Sequence, residues 1–274
     1  MRKVLAAIDS SAAARPVLEV AVAVAELWEA EPYAFHVRED GVAATRAQCH
    51  AMGLPLQVVS GPTVERLVAA ARPVDVAAVV IGARRTPGGR RPAGRTALEV
   101  ITSLRKPLVV VPPHFAGPVR LGRLLIPLDG TATTASALQS TMELAHGCEL
   151  GVVLLHVYEE SSLPPFNDQP QHETRTWAEE FIARYCPSPY EVRHLELRVG
   201  IPRDHVVRVA AEAGADLIAL GWSQDLSRGR AEVVRTTLAE SPVPVLLLPV
   251  SPTSERQAAP DERVVAATGG RARQ

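Results

Sequence analysis

Aromatic side chains make up only 4% of this 274-residue chain, and its three cysteines, Cys49, Cys148 and Cys186, lie far apart. A core must therefore be built from Val, Leu, Ile and Ala, within a hydrophobic fraction of 47% that is ordinary for a globular protein. The cysteines form no CxxC or metal-ligand spacing, and an odd number without a secretion signal points to reduced thiols used for packing. Lysine is scarce as well: Lys3 and Lys106 stand against 27 arginines, for which codon usage in a GC-rich genome is a simpler explanation than a functional choice. No apolar run reaches the roughly 18–20 residues that span a bilayer. The opening "MRKVLAAIDSS" is broken at Asp9, too early for a signal peptide, so a cytoplasmic protein without a membrane partner is expected. A net charge of −1 argues against a dedicated nucleic-acid binder.

Enzyme signatures are missing too. There is no GxxxxGK[ST] phosphate loop, no GxSxG elbow, no HExxH and no Gly-x-Gly-x-x-Gly after a strand. No catalytic or metal-ligating set can be named, and slow ATP hydrolysis is the most that is expected.

What the chain does have is a repeat. "KVLAAIDSS" (3–11) matches "RLLIPLDGT" (123–131), and "YAFHVRE" (33–39) matches "VLLHVYE" (153–159). Further on, "VSGPTVERLV" (59–68) matches "RVGIPRDHVV" (198–207), and "VVIGAR" matches "IALGWS". Asp9 to Asp129 and His36 to His156 span 120 positions, whereas Gly61 to Gly200 and Gly82 to Gly221 span 139, so one 19-residue insertion separates the copies. "KPLVVVPP" and "VPVLLLPV" close the two halves. Repeats of this kind define the architecture before any single element does.

Each half alternates continuous apolar runs, such as "VAAVVIG" and "DLIALGW", with alanine-rich amphipathic stretches that open on Ser or Thr. Runs without alternation are strands buried on both faces, which occur in parallel sheets covered by helices. Right-handed crossovers then leave a doubly wound α/β fold. The expected organisation is a first domain over 1–113, a Pro/Gly linker over 112–119, a second domain over 119–250 and a disordered polar tail over 251–274. Charge is divided unevenly: residues 1–113 hold 14 basic and 10 acidic side chains, and residues 119–250 hold 11 and 17.

The Asp-terminated first strand, the "HV" second strand, "G-x-P" before a helix, "VVIG" and the "KPLVVVPP" ending together resemble a tandem universal stress protein over about residues 2–250. The resemblance implies two Rossmann-like domains, each a five-stranded parallel sheet. It implies a pseudo-dimer pairing 107–111 with 243–249, which would also cover two sheet edges, with pairing of whole chains as a further option. Members of the family often bind ATP at the carboxyl ends of the strands, using Gly-x2-Gly-x9-Gly-Ser/Thr after the fourth strand. Magnesium would enter only with the nucleotide.

Carried onto this chain, the motif places Gly82 and Gly94 at the outer glycines, Arg85 at the second glycine, Arg95 at the hydroxyl position and Thr96 one place late. Arg84 joins this Gly/Arg-rich loop, whose arginines suit phosphate. Asp9 matches the aspartate that reaches toward the nucleoside, and Val37 the position whose backbone meets the base. In the second half Gln224 replaces the second glycine, Ala231-Glu232 replaces Gly-Ser, and Gly229 is displaced, so that site is degenerate. Bland readings stand beside these: a solvated basic loop, aspartates that cap turns, histidines that close strand ends, and Trp222 as a plug in an emptied pocket. The expectation is a regulatory stress-response protein holding an adenine nucleotide in its first half. The alternative is a non-nucleotide-binding scaffold whose unequally charged halves recognise protein partners.

Overall fold

The computed structural model describes residues 1–11, 13–38, 42–84, 92–116, 120–148, 150–158, 170–185, 194–227 and 231–250. The tail, Arg85, Cys186 and Gly229 lie outside them. The first half runs β1 (Arg2–Ile8), α1 (Ala14–Leu27), β2 (Ala30–Val37), α2 (Val42–Ala51), β3 (Leu56–Val59), α3 (Thr63–Ala71), β4 (Val76–Gly82), α4 (Arg95–Ser103) and β5 (Leu108–Val111). The second repeats it as β6 (Arg123–Pro127), α5 (Ala132–Gly147), β7 (Gly151–Tyr158), α6 (Pro170–Tyr185), β8 (His194–Val199), α7 (Val206–Ala213), β9 (Leu217–Trp222), α8 (Glu232–Glu240) and β10 (Val245–Pro249). The inserted residues fall around α6, which is longer than its counterpart α2.

Continuous apolar strands become central strands, as their composition requires. Val4 and Ala6 face one layer and Leu5 the other, all at most 1% exposed. One layer is covered by α1, α2, α5 and α6, the other by α3, α4, α7 and α8. Strand order is β3-β2-β1-β4-β5 in the first half and β8-β7-β6-β9-β10 in the second, and every pair within a half is parallel.

The halves do not remain separate sheets. β5 and β10 pair antiparallel, Leu108 with Leu247, Val109 with Leu246 and Val110 with Val245, which fuses them into one ten-stranded sheet. All six residues are buried, so the seam continues the core and removes two exposed edges.

Both lysines converge on one turn. Lys3 Nζ donates to Asp75 at 2.8 Å, while Lys106 Nζ donates to the carbonyls of Val76 at 2.6 Å and Pro73 at 2.5 Å. A compact ammonium with three donors fits two neighbouring carbonyls better than a planar guanidinium does, so lysine has a structural use at position 106. Cys49 is buried as expected, but Cys148 is exposed at the end of α5, so it is not a packing residue. Among the described residues no helix is long and apolar enough to cross a membrane.

Candidate functional site

In an open doubly wound sheet, ligands settle where strand order reverses, beyond the carboxyl ends of the strands. Here that point lies between β1 and β4. A cavity of about 310 Å³ opens there, within the size range of small-molecule sites. Its lining includes Asp9, Val37, Gly82, Arg84, Gly94, Arg95 and Thr96. Seven of the eight residues singled out in the sequence thus come together, and Arg85 lies outside the described residues. The floor is apolar, with Phe35, Leu67, Ile81 and Val100, and the charged groups stand at the rim.

The rim is shaped by backbone closure. Ala83 N–H donates to Val111, and Gly94 N–H donates to Ala83 O at 2.7 Å, pinching the base of the basic loop. Neither Gly82 nor Gly94 has positive φ; both matter through close approach. A Cβ at Gly94 would lie 3.3 Å from Ala83 O, and one at Gly82 would meet Val17 Cγ2 at 3.4 Å. Gly94 is the N-cap of α4, so the first amides and the positive end of that helix face the cavity beside Arg95 and Thr96. Arg95 turns along α4 to Glu99, Nε to Oε1 2.9 Å, a bond that raises its pKa further. Apolar floor, close-approach glycines, helix end and arginines fit a nucleoside below and phosphates at the rim.

Asp9 also shapes its own turn. Its Oδ1 accepts from the Ser11 N–H at 2.9 Å and the Ser11 hydroxyl at 2.5 Å. His36, 1% exposed, bonds through Nδ1 to Ile8 O at 3.0 Å and thereby fixes the residue preceding Asp9. That closes the strand end, as the bland reading of the histidine holds. His156 repeats the contact with Leu128 O at 2.8 Å.

The corresponding place in the second half carries different groups. Asp129 accepts from the Thr131 N–H and hydroxyl through Oδ1, and from Thr134 Oγ1 through Oδ2 at 3.0 Å. The repeat aligns Thr134 with Ala14, a cavity-lining residue that has no hydroxyl. A Cβ at Gly221 would press within 3.3 Å of both Thr134 and Val250. Trp222, aligned with the cavity-lining Ala83, is 5% exposed and packs in the same layer as the cavity floor. Glu232, at the start of α8 where the family motif has its hydroxyl, pairs with Arg203 at 3.2 Å. The Thr134 lock needed spatial information; its only sequence signal is a Thr where the first copy has Ala.

Among the described residues no group of three or more His, Cys, Asp or Glu could hold a metal ion.

Comparison with known proteins gives three findings. The universal stress protein family matches over residues 121–249. A functionally unknown protein from Pseudomonas aeruginosa PAO1 superposes with a TM-score of 0.68 at 13% identity, covering 91% of this chain and 93% of that one. A universal stress protein from Archaeoglobus fulgidus DSM 4304 does so with a TM-score of 0.66 at 16% identity, covering 90% and 98%. At such identities the likeness establishes the fold. No curated protein matches the chain.

Proposed function

The chain belongs to the universal stress protein family through its second half, residues 121–249, and on that premise we propose that its first half binds an adenine nucleotide in a regulatory role. One observation carries the reading: a single cavity is lined by Asp9, Val37, Gly82, Arg84, Gly94, Arg95 and Thr96. In this reading the base sits on the apolar floor beside Val37, Asp9 meets the ribose, and the α4 amides with Arg84 and Arg95 take the phosphates. The second half, closed by Trp222 and the Thr134–Asp129 bond, serves as structure. The β5–β10 seam is read as a pseudo-dimer interface within one chain.

The test is calorimetric titration of the intact chain with ATP, ADP and AMP, for the native protein and for Arg84→Ala/Arg95→Ala. A charge-assisted hydrogen bond contributes about 1.5–3 kcal/mol, so removing two should weaken ATP by roughly 10²- to 10⁴-fold. AMP should lose less, because it places fewer phosphate oxygens at the rim. No heat with any of the three nucleotides at high micromolar protein would sink the proposal. It would favour the scaffold reading, which the self-satisfied Asp9–Ser11 turn also supports.

A further inference from the structure

Gln224 stands where the family motif would put its second glycine, in the second copy of the repeat. Its backbone keeps a left-handed conformation, φ +62°, as a glycine there could. Its side chain does something no glycine could: Nε2 donates to the carbonyl of Leu104, in the other half of the molecule. Leu104 is the C-cap of α4, 4% exposed, and its N–H is bonded back to Val100.

The surroundings make this contact stiff. Arg235 of α8 donates to Leu226 O at 2.7 Å, holding the residues just after Gln224. Leu226 and Arg235 then line a groove with Pro92, Leu98, Glu99 and Thr102, so the remodelled loop abuts α4 along its length. The other end of α4 forms part of the cavity rim, through Gly94, Arg95 and Thr96. α4 is nine residues long, about 13 Å, too short for its ends to move independently. A shift at Leu104 is a shift at Arg95.

We propose that Gln224 is a positioning residue for the first-half anion site: the second half's former phosphate loop has become a strut that sets α4, and through it the affinity of the cavity for phosphate. This rests on the nucleotide reading above. It gives the second half a regulatory part, because anything that displaces the 223–227 segment changes ligand affinity across the seam.

Two variants separate the donor from the backbone. Gln224→Ala removes the donor and keeps the left-handed strain; Gln224→Gly removes the donor and relieves the strain. Titration of the full chain with ATP should show both variants weakened by roughly three- to tenfold, the range expected for one lost hydrogen bond. Thermal unfolding of the glycine variant should be no lower than that of the alanine variant, since both lose the donor and only the glycine backbone is relaxed. A structural role alone would move the melting temperature and leave the dissociation constant in place. Native-like affinity in both variants overturns the inference, as does weakening in the glycine variant alone. If the native chain itself binds no ATP, the nucleotide reading fails first and takes this one with it.

Discussion

Replacing Trp222 with alanine tests the assignment of the second half as a filled site, independently of any ligand. The indole is 5% exposed and lies in the layer shared with Val206, Val209 and Leu220. Its neighbours are secured by strands on one side and by α7 and α8 on the other, so they are poorly placed to collapse. Large-to-small substitutions of this kind cost about 3–5 kcal/mol when the space stays open. At about 2–4 °C per kcal/mol for a unit of this size, the melting temperature should drop by roughly 6–20 °C. Urea titration should show a lower midpoint with the same slope, as expected if only stability changes. Indole should then bind the vacated space, and at ten times its dissociation constant restore about 1.4 kcal/mol. A loss below about 1 kcal/mol together with no rescue by indole would refute the plug.

Other perturbations follow from the same structure. Lys106→Arg should destabilise by about 1–3 kcal/mol in denaturant titration, because a guanidinium cannot reproduce the two bonds to Pro73 and Val76 and leaves a half-buried carbonyl unsatisfied. Ala231→Gly should stabilise by about 0.5–1 kcal/mol: the N-cap of α8 holds φ +47°, a conformation costly for a Cβ, and relief exceeds the entropy glycine adds. Tyr33 should titrate late, its pKa pushed up to about 12, first by burial and then by the Asp75 charge. A raised folded-state pKa means that stability is fully present below about pH 10, the unfolded value, and is lost as pH rises toward 12. Absorbance at alkaline pH should lose its latest step in Tyr33→Phe; a step that remains would contradict the assignment.

The fold was legible because two signals agree. Continuous apolar runs demanded a sheet covered on both faces, and the constant spacings from Asp9 to Asp129 and Gly82 to Gly221 demanded that it be built twice. The partnership of the closing segments, "KPLVVVPP" and "VPVLLLPV", followed from the resemblance to tandem universal stress proteins, and the pairing covers two apolar edges. The antiparallel register at that seam was not legible, because runs of Leu and Val pair equally well at several offsets.

At the cavity, residue types pointed to the rim: Gly82, Gly94, Arg84 and Arg95 surround it. The reason for the glycines was less accessible. Both serve by close approach, against Ala83 O and Val17, which depends on what lies opposite in space. The same holds for Gln224 and Thr134, whose partners Leu104 and Asp129 are fixed by how the loops fold back. A sequence read along the chain registers such residues only as departures from a motif.

The central claim is that one copy of the duplicated unit keeps an open anion-gripping cavity and the other has closed it. Calorimetric stoichiometry on the native chain and on Ala83→Trp, which installs in the first half the residue that the second half carries at the aligned position, tests it most directly. The account predicts one ATP per native chain and none for the variant, with the variant no less stable than native by more than the roughly 1–3 kcal/mol that overpacking costs. Two equivalent sites per chain, or undiminished binding by the variant, would contradict it.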